Sequence, residues 1–233
     1  MDKKTEAFIS FVKEECKKNS VIFKPYKRSY IKLTDDIKCG GFFDDGSDPK
    51  LRKATLAFAQ GREDFIELMV HEYCHMTQWI DGIELWDVSA DSLTVVDEWL
   101  SGVDHPEELV EVSLNNSREL ELDNEKRSVE MFKKWDLPVD TALYTRKSNA
   151  YVLFYNYMKI SRKWSNPDNA PYRNKNIVEA MSDKFDMDYE NLSEELIELF
   201  KKEKLTLGDK KRPHNPTLIR AIDPRWISRC CII

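Results

Sequence analysis

His71 and His75 are spaced four residues apart and are the residues of this sequence best suited to hold a metal ion. On a helix, residues four apart lie on one face, so the two imidazole rings can reach a common point. A tetrahedral zinc site needs such nitrogen ligands, at Zn–N distances of roughly 2.0–2.1 Å. With Glu72 they form the His-Glu-x-x-His pattern, which is a known zinc motif. The spacing therefore predicts a zinc ion bound by His71 and His75.

Glu72 has the position of a general base beside such a zinc ion. It lies about a hundred degrees round the helix from His71, so it cannot easily share the metal, but its carboxylate can reach a water on it. Zinc lowers the pKa of a bound water to about 7, and a neighbouring carboxylate can accept the proton during attack on a carbonyl. We predict that Glu72 is this base. Cys74 points away from both histidines and is expected to be a buried thiol.

A catalytic zinc ion needs a third protein ligand, and the sequence offers several. Asp81 follows His75 by six residues, a spacing that requires a sharp turn after the helix. Gln78 occupies the turn position and disfavours the backbone conformation that glycine would allow there. His105 lies beside Pro106 in a segment without clear periodicity. Both Asp81 and His105 remain alternatives.

The better candidates are two acid pairs spaced i,i+4 on a later helix, Glu119 with Asp123 and Glu121 with Glu125. In such a pair the first acid can bind zinc and the second can accept a hydrogen bond from a histidine ring. A solvated acidic face is the ordinary alternative. Glu121 and Glu125 continue along the helix face that bears Val129 and Phe132, which favours an inward direction. We therefore prefer Glu121 as ligand and Glu125 as its support, with Glu119 as the alternative.

The elements that must position these residues follow from periodicity and turn residues. A helix over about 65–79 that ends near Asp81-Gly82 has Asp64 as its expected N-cap, with Glu67 completing a capping box. Further helices are predicted at 5–18, 117–136, 140–164, 174–185 and 193–204. Residues 21–34, the segment between the turns at 40–41 and 44–47, and residues 51–60 are predicted strands, with Pro25 on an edge strand. Residues 83–114 are expected to be loop-rich with one short helix, and residues 206–233 to be an irregular tail.

These elements predict one α+β domain over residues 1–233, mostly helical and zincin-like, with a small antiparallel sheet near the N-terminus and a catalytic core over 65–185. The net charge of −6 argues against a dedicated nucleic-acid-binding protein. No secretory signal peptide and no apolar stretch of membrane-spanning length is evident. The five cysteines lack metal or disulfide spacing, which favours the cytoplasm. We therefore expect a peptide or protein substrate, without nucleic acid or membrane.

Three blocks of the sequence resemble a phage-encoded family of zinc metallopeptidases. They are HEYCHMTQW, ELDNEKRSVEMFKKWDLP and SNAYVLFYNYMKISRKW, within residues 65–185. The family's second block runs E-L-D-C-E-K-R, and Asn124 stands here in place of its cysteine. The resemblance implies a gluzincin-like site with His71, His75 and Glu121 as zinc ligands and Glu72 as base, in a phage-infected or host bacterial cell. It names no substrate, because the family itself is assigned by motif.

Three functions are consistent with these residues. The first is a zinc-dependent hydrolase of peptide or isopeptide bonds, for which Tyr151 is a candidate to stabilise the oxyanion. The second is a zinc-binding interaction module of zincin fold without significant catalysis. The third is a structural zinc site closed by a fourth protein ligand, His105 or a cysteine. Glu72 favours the hydrolase, because a scaffold has no use for a general base at that position.

Overall fold

The computed structural model describes residues 1–33, 38–47 and 53–206. These residues form two compact units, residues 1–86 with 127–139 and residues 87–126 with 140–206. The fold class is α+β, mostly helical with a small sheet, as predicted. The expectation of one domain over residues 1–233 stays a prediction, and the tail expected after residue 206 lies outside the described residues.

The first unit combines a small sheet with helices on it. Its elements are α1 (Lys3–Lys18), β1 (Ile22–Tyr26), β2 (Ile31–Lys32), β3 (Lys38–Cys39), β4 (Gly41–Asp44), β5 (Thr55–Ala59) and α2 (Phe65–Asp81), with the end of α4 (Glu107–Trp135). β5 lies between β1 and β4, and β2 pairs with β3 in a separate antiparallel hairpin.

The main sheet is mixed, so the prediction of an antiparallel sheet is wrong. β4 is antiparallel to β5, whereas β1 runs parallel to it. Strand direction depends on the path of the chain between β1 and β5, and side-chain alternation within a strand does not encode that path. Pro25 does lie on the edge strand β1, where its missing N–H breaks no interior ladder. All five residues of the central strand β5 are buried.

Helix α1 closes one side of this unit through aromatic contacts. Asp2 caps the helix by accepting hydrogen bonds from the backbone N–H groups of its first turn. Phe8 is fully buried, and its ring centroid lies 6.1 Å from that of Tyr73 on α2 and 5.4 Å from that of Trp135 on α4. Edge-to-face packing of this kind adds to the burial of apolar area. Three helices of the unit therefore meet at Phe8.

Helix α2 occupies the range predicted for it and packs on β4 and β5. It ends at Gly82, which adopts φ 62° and caps the helix in the left-handed conformation. The predicted capping box is wrong at Asp64. Asp64 is the N-cap residue, but its carboxylate accepts two hydrogen bonds of 2.6 Å from the guanidinium of Arg62 in place of the helix N–H groups. An adjacent cation competes for an N-cap carboxylate because a charge-assisted bidentate pair is strong.

The second unit is helical. It contains most of α3 (Glu84–Leu100), the first part of α4, α5 (Thr141–Ser161), α6 (Lys175–Ala180) and α7 (Glu194–Lys202). A short 3₁₀ turn spans Pro167–Asn169. Its core is built from α3, α4, α5, α6 and α7, and includes Leu153, Phe154, Ile177 and Phe200. The predicted helices at 140–164 and 193–204 are confirmed, while the one expected at 174–185 ends at Ala180.

The loop-rich connection predicted over 83–114 is wrong, because α3 is a full helix and α4 begins at Glu107. The buried residues of α3 recur at helical spacing, namely Trp86, Ser89, Ser92, Leu93, Val96 and Leu100. The acids at its other positions, Glu84, Asp87, Asp91, Asp97 and Glu98, obscure this stripe in the sequence. Within the described residues, no helix combines the length and the apolar content that crossing a bilayer requires.

Replacing Phe8 by alanine should lower the free energy of unfolding by about 3–5 kcal/mol, because it opens a cavity where three helices meet. Urea denaturation followed by circular dichroism measures this change. Leu143→Ala is the control, because Leu143 is 42% exposed and its loss should change stability by about 0.5 kcal/mol or less. Equal effects of the two substitutions would contradict the packing described for α1.

Candidate metal centre

His71 and His75 lie on the buried face of α2 and point their rings toward the same position. Both side chains are buried, and their Nε2 atoms are 3.1 Å apart. Two nitrogen ligands of a tetrahedral zinc ion, each at roughly 2.0–2.1 Å, lie about 3.3 Å from one another. The two rings are nearly perpendicular, with an interplanar angle of 83°. The spacing of the two Nε2 atoms thus fits a shared metal ion without rearrangement of the helix.

Gln78 orients the ring of His75. Its Oε1 atom lies 2.8 Å from Nδ1 of His75, and the side chain is fully buried one turn further along α2. Because the carbonyl oxygen of an amide can only accept, Nδ1 of His75 donates the proton and Nε2 keeps its lone pair for a metal. A partner of this kind usually holds the second nitrogen of a ligating histidine. The i,i+3 spacing of His75 and Gln78 could have revealed this role in the sequence.

Glu121 on α4 completes a group of three metal-binding side chains. One ligand atom each of His71, His75 and Glu121 lie within 4.8 Å of one another, and all three residues are buried. Later on the same helix, Arg127 donates hydrogen bonds to Thr77 at 3.2 Å and to Asp81 at 2.5 Å on α2. The structure therefore brings together the three residues predicted as ligands.

The other candidates for the third ligand have different partners. Asp81 forms the ion pair with Arg127 at the end of α2. Glu119, whose side chain is 42% exposed, accepts hydrogen bonds from Arg118 at 2.9 and 3.3 Å. His105 lies 2.9 Å from a carboxylate oxygen of Glu98. Each therefore has a local structural role.

Glu125 lies one turn after Glu121, and both are buried, as the phase of the helix predicts. The hydroxyl of Ser148 on α5 donates a hydrogen bond of 2.8 Å to Oε2 of Glu125. A buried carboxylate needs such donors, because an ionised group without them is costly to bury. The role predicted for Glu125, accepting a hydrogen bond from a histidine ring, stays a prediction.

Glu72 is fully buried, and its side chain lies against the start of β4, with Gly41 as a neighbour. The surroundings on this side of α2 include Trp86, whose ring centroid is 6.1 Å from that of His75. The indole N–H of Trp86 donates to Asp45, just after β4, at 3.2 Å. The sequence gives no signal for this position of Trp86, because its contact with Asp45 joins residues far apart in the chain.

On the opposite side of α2, Tyr73 packs against the rings of Phe8 and Phe11 of α1. Burial raises the pKa of the Tyr73 hydroxyl, and burial followed by the charge of Glu15 raises the pKa of the Cys16 thiol to about 12. Both groups are therefore neutral at pH 7. Cys74 is a buried thiol, as predicted. A helix with one neutral, packed side and one side bearing histidines resembles the rigid support that a metal site needs.

Tyr151, the candidate for stabilising the oxyanion, and the nearby Asn149 lie on α5 and both have structural partners. The hydroxyl of Tyr151 lies 3.2 Å from that of Tyr155, and its ring contacts Tyr172. Asn149 is fully buried, donates to two backbone carbonyls after α6 and accepts from the Tyr189 hydroxyl at 2.6 Å. Asn149 thus holds the chain that follows α6. The oxyanion role of Tyr151 stays a prediction.

Replacing Glu121 by glutamine should abolish stoichiometric metal binding, because the amide is a weak ligand and the two histidines alone leave zinc poorly held. Zinc content after dialysis, measured by atomic absorption, tests this. The matched variants Glu119→Gln and Asp81→Asn should retain one zinc ion per chain. Loss of zinc in either of these, with retention in Glu121→Gln, would contradict the assignment of the third ligand.

Replacing Gln78 by alanine should weaken zinc binding by roughly 10–100-fold, since His75 loses the acceptor that orients its ring. Competition with a chromogenic zinc chelator gives the dissociation constant. Gln60→Ala is the control, because Gln60 is an exposed amide outside the site. An unchanged dissociation constant in Gln78→Ala would show that the helix alone orients His75.

Comparison of the chain with protein-family models, with curated proteins and with solved structures found no match. The resemblance to the phage-encoded metallopeptidases thus stays a prediction, and the geometry of His71, His75 and Glu121 is what bears on function.

Proposed function

We propose that this protein is a zinc-dependent peptidase of zincin-like fold. The observation that supports this most directly is the buried group of His71, His75 and Glu121, with ligand atoms within 4.8 Å of one another. Two imidazoles and one carboxylate are a donor set that zinc prefers, and catalytic zinc sites use three protein ligands of this kind. Hydrolysis also needs a general base, and Glu72, which follows the first ligand in the sequence, supplies it.

The residues of the chain have distinct parts in this proposal. A bound zinc ion would supply a Lewis acid and a water whose pKa is lowered to about 7. His71, His75 and Glu121 hold the ion, and Gln78 keeps His75 in the tautomer that can bind. The Glu72 carboxylate accepts the proton of the attacking water and returns it to the nitrogen of the leaving amine. The peptide C–N bond breaks, and one carboxylic acid and one amine result; the acid then loses its proton to solvent at neutral pH.

The number of donors favours a catalytic site over a structural one. Within the described ranges, the group that could hold a metal has three His, Cys, Asp or Glu members. Structural zinc sites are closed by four protein ligands, whereas catalytic sites leave one position open. His105, proposed as a fourth ligand for the structural alternative, lies against Glu98. These observations support the hydrolase.

The interaction module remains the second candidate, and Glu72 distinguishes it from the peptidase. Glu72 is a fully buried carboxylate in a helix that also bears two buried histidines, and burying such a group costs desolvation free energy. A protein that only docks to a partner has no reason to retain it. The substrate class in this proposal is a peptide or protein, cleaved at a peptide or isopeptide bond. The cytoplasm of a phage-infected or host bacterium, implied by the resemblance, is part of the same proposal.

Replacing Glu72 by glutamine should retain one zinc ion per chain and lower peptide hydrolysis by roughly 10²–10⁴-fold, because the amide cannot accept a proton. Hydrolysis is measured with casein and with a fluorescence-quenched peptide library, and zinc content by atomic absorption. Glu63→Gln, at an exposed position just before α2, is the matched control and should leave both quantities unchanged.

Two outcomes would contradict the proposal in different ways. A folded wild-type protein that binds no zinc would exclude the metal site itself. If the wild-type protein binds zinc but hydrolyses peptides slowly, and at the same rate as Glu72→Gln, the result would favour the interaction module.

A further inference from the structure

Gly41 is the first residue of β4 and lies beside Glu72. It is buried and pairs with Phe58 of β5 in the antiparallel ladder. The sequence suggests a turn glycine at this position, because Gly40 and Gly41 are adjacent. However, Gly41 lies in a strand and is not among the glycines with positive φ. Its backbone conformation is open to any residue, so the reason for glycine must be space.

The space that a side chain at position 41 would need is filled by Glu72. A Cβ atom built on Gly41 would lie 2.9 Å from Cγ and 3.1 Å from Oε1 of Glu72. It would also lie 3.0 Å from the backbone oxygen of Ala57. Contacts under 3.0 Å essentially do not occur for real Cβ atoms, so one group would have to move. Since Ala57 belongs to the central strand, Glu72 is the group able to yield.

We propose that Gly41 is a positioning residue for Glu72, and this inference rests on the proposed function. Glu72 has rotatable bonds that α2 alone does not restrict, and the bare backbone of β4 is the surface on which its carboxylate rests. A side chain at position 41 displaces the carboxylate from that surface while leaving His71 and His75 in place. Displacement of a reacting group by about 1 Å can lower a rate by 10².

Gly61 provides a matched comparison within the same unit. A Cβ atom at Gly61 would lie 2.7 Å from the backbone oxygen of Lys27 and 2.8 Å from the carbonyl carbon of Arg28. Alanine at position 61 should therefore strain the fold at least as much as alanine at position 41. It makes no comparable approach to Glu72, so it separates a loss of stability from a displaced carboxylate.

The first experiment is a double-mutant cycle on thermal stability. Gly41→Ala should lower Tm by roughly 3–10 °C in the wild-type background, as overpacking of a buried site does. In the Glu72→Ala background, where Cγ and the carboxylate are absent, the same substitution should lower Tm by less than half as much. Such non-additivity is expected of residues in direct contact, whereas distant and independent sites are additive. Equal decreases in both backgrounds would overturn the proposal.

The second experiment uses acetohydroxamic acid as a probe of the Glu72 carboxylate in the cobalt-substituted protein. The probe binds a metal as its anion, so a base beside the metal must take up its proton. Gly41→Ala should keep one metal ion per chain and lower the affinity for acetohydroxamic acid by roughly 10–100-fold. Glu72→Gln should lower this affinity by a similar factor. The double variant should bind no more weakly than Glu72→Gln alone, and Gly61→Ala should bind like the wild type. The visible spectrum of cobalt reports the binding.

The outcomes separate this inference from the proposed function. A wild-type protein without metal would exclude the proposed function, and the stability cycle would still decide whether Gly41 and Glu72 share one space. Wild-type affinity for the probe in Gly41→Ala would overturn the positioning role. Loss of the metal ion in Gly41→Ala would overturn it as well, because the substitution would then act on the histidines.

Discussion

The convergence of two buried imidazoles on one face of α2 is the constraint on which the site depends. Nitrogen atoms 3.1 Å apart in a buried environment need a defined proton distribution, since two facing N–H groups would repel each other. Gln78 meets this need because its Oε1 atom accepts a hydrogen bond from Nδ1–H of His75, which leaves Nε2 of His75 without a proton. Within the described part of the chain, Glu121 is the acidic residue that joins the two histidines in a metal-binding group. Burial and hydrogen bonding together thus define the donor set.

The remainder of the first unit restricts how α2 can move. β4 and β5 pack on one side of the helix, and the rings of Phe8 and Trp135 pack near Tyr73 on another. The pKa shifts of Tyr73 and Cys16 reflect the same low exposure to water. Rigid packing of this kind matters for a metal site, because ligands held within about 0.5 Å of the required geometry need no rearrangement on binding. The small sheet therefore supports the site as well as the fold.

Prediction from the sequence succeeded for helices defined by local periodicity. It failed for features that depend on contacts with residues elsewhere in the chain. α1, α2 and α5 were recognised from their residue patterns, and the buried positions of Glu121 and Glu125 were recognised from the phase of their helix. α3 was missed, because acidic residues between its buried positions obscured a stripe at helical spacing. The Asp64 cap was wrong because Arg62 competes for its carboxylate. The mixed sheet was missed because the direction of β1 relative to β5 depends on how the chain runs between the two strands.

The pair His71 and His75, the adjacent Glu72 and the helix that holds them are evident from the sequence alone, because an α-helix places residues four apart on one face. Only after the chain has packed does Glu121 join His71 and His75 in a group that could hold a metal ion, whereas Asp81 lies against Arg127. The reason for glycine at position 41 also depends on tertiary contacts. Glu72, which is distant in sequence, occupies the space that a side chain on Gly41 would need. Local geometry is encoded residue by residue, whereas contacts between distant segments exist only after the chain has packed.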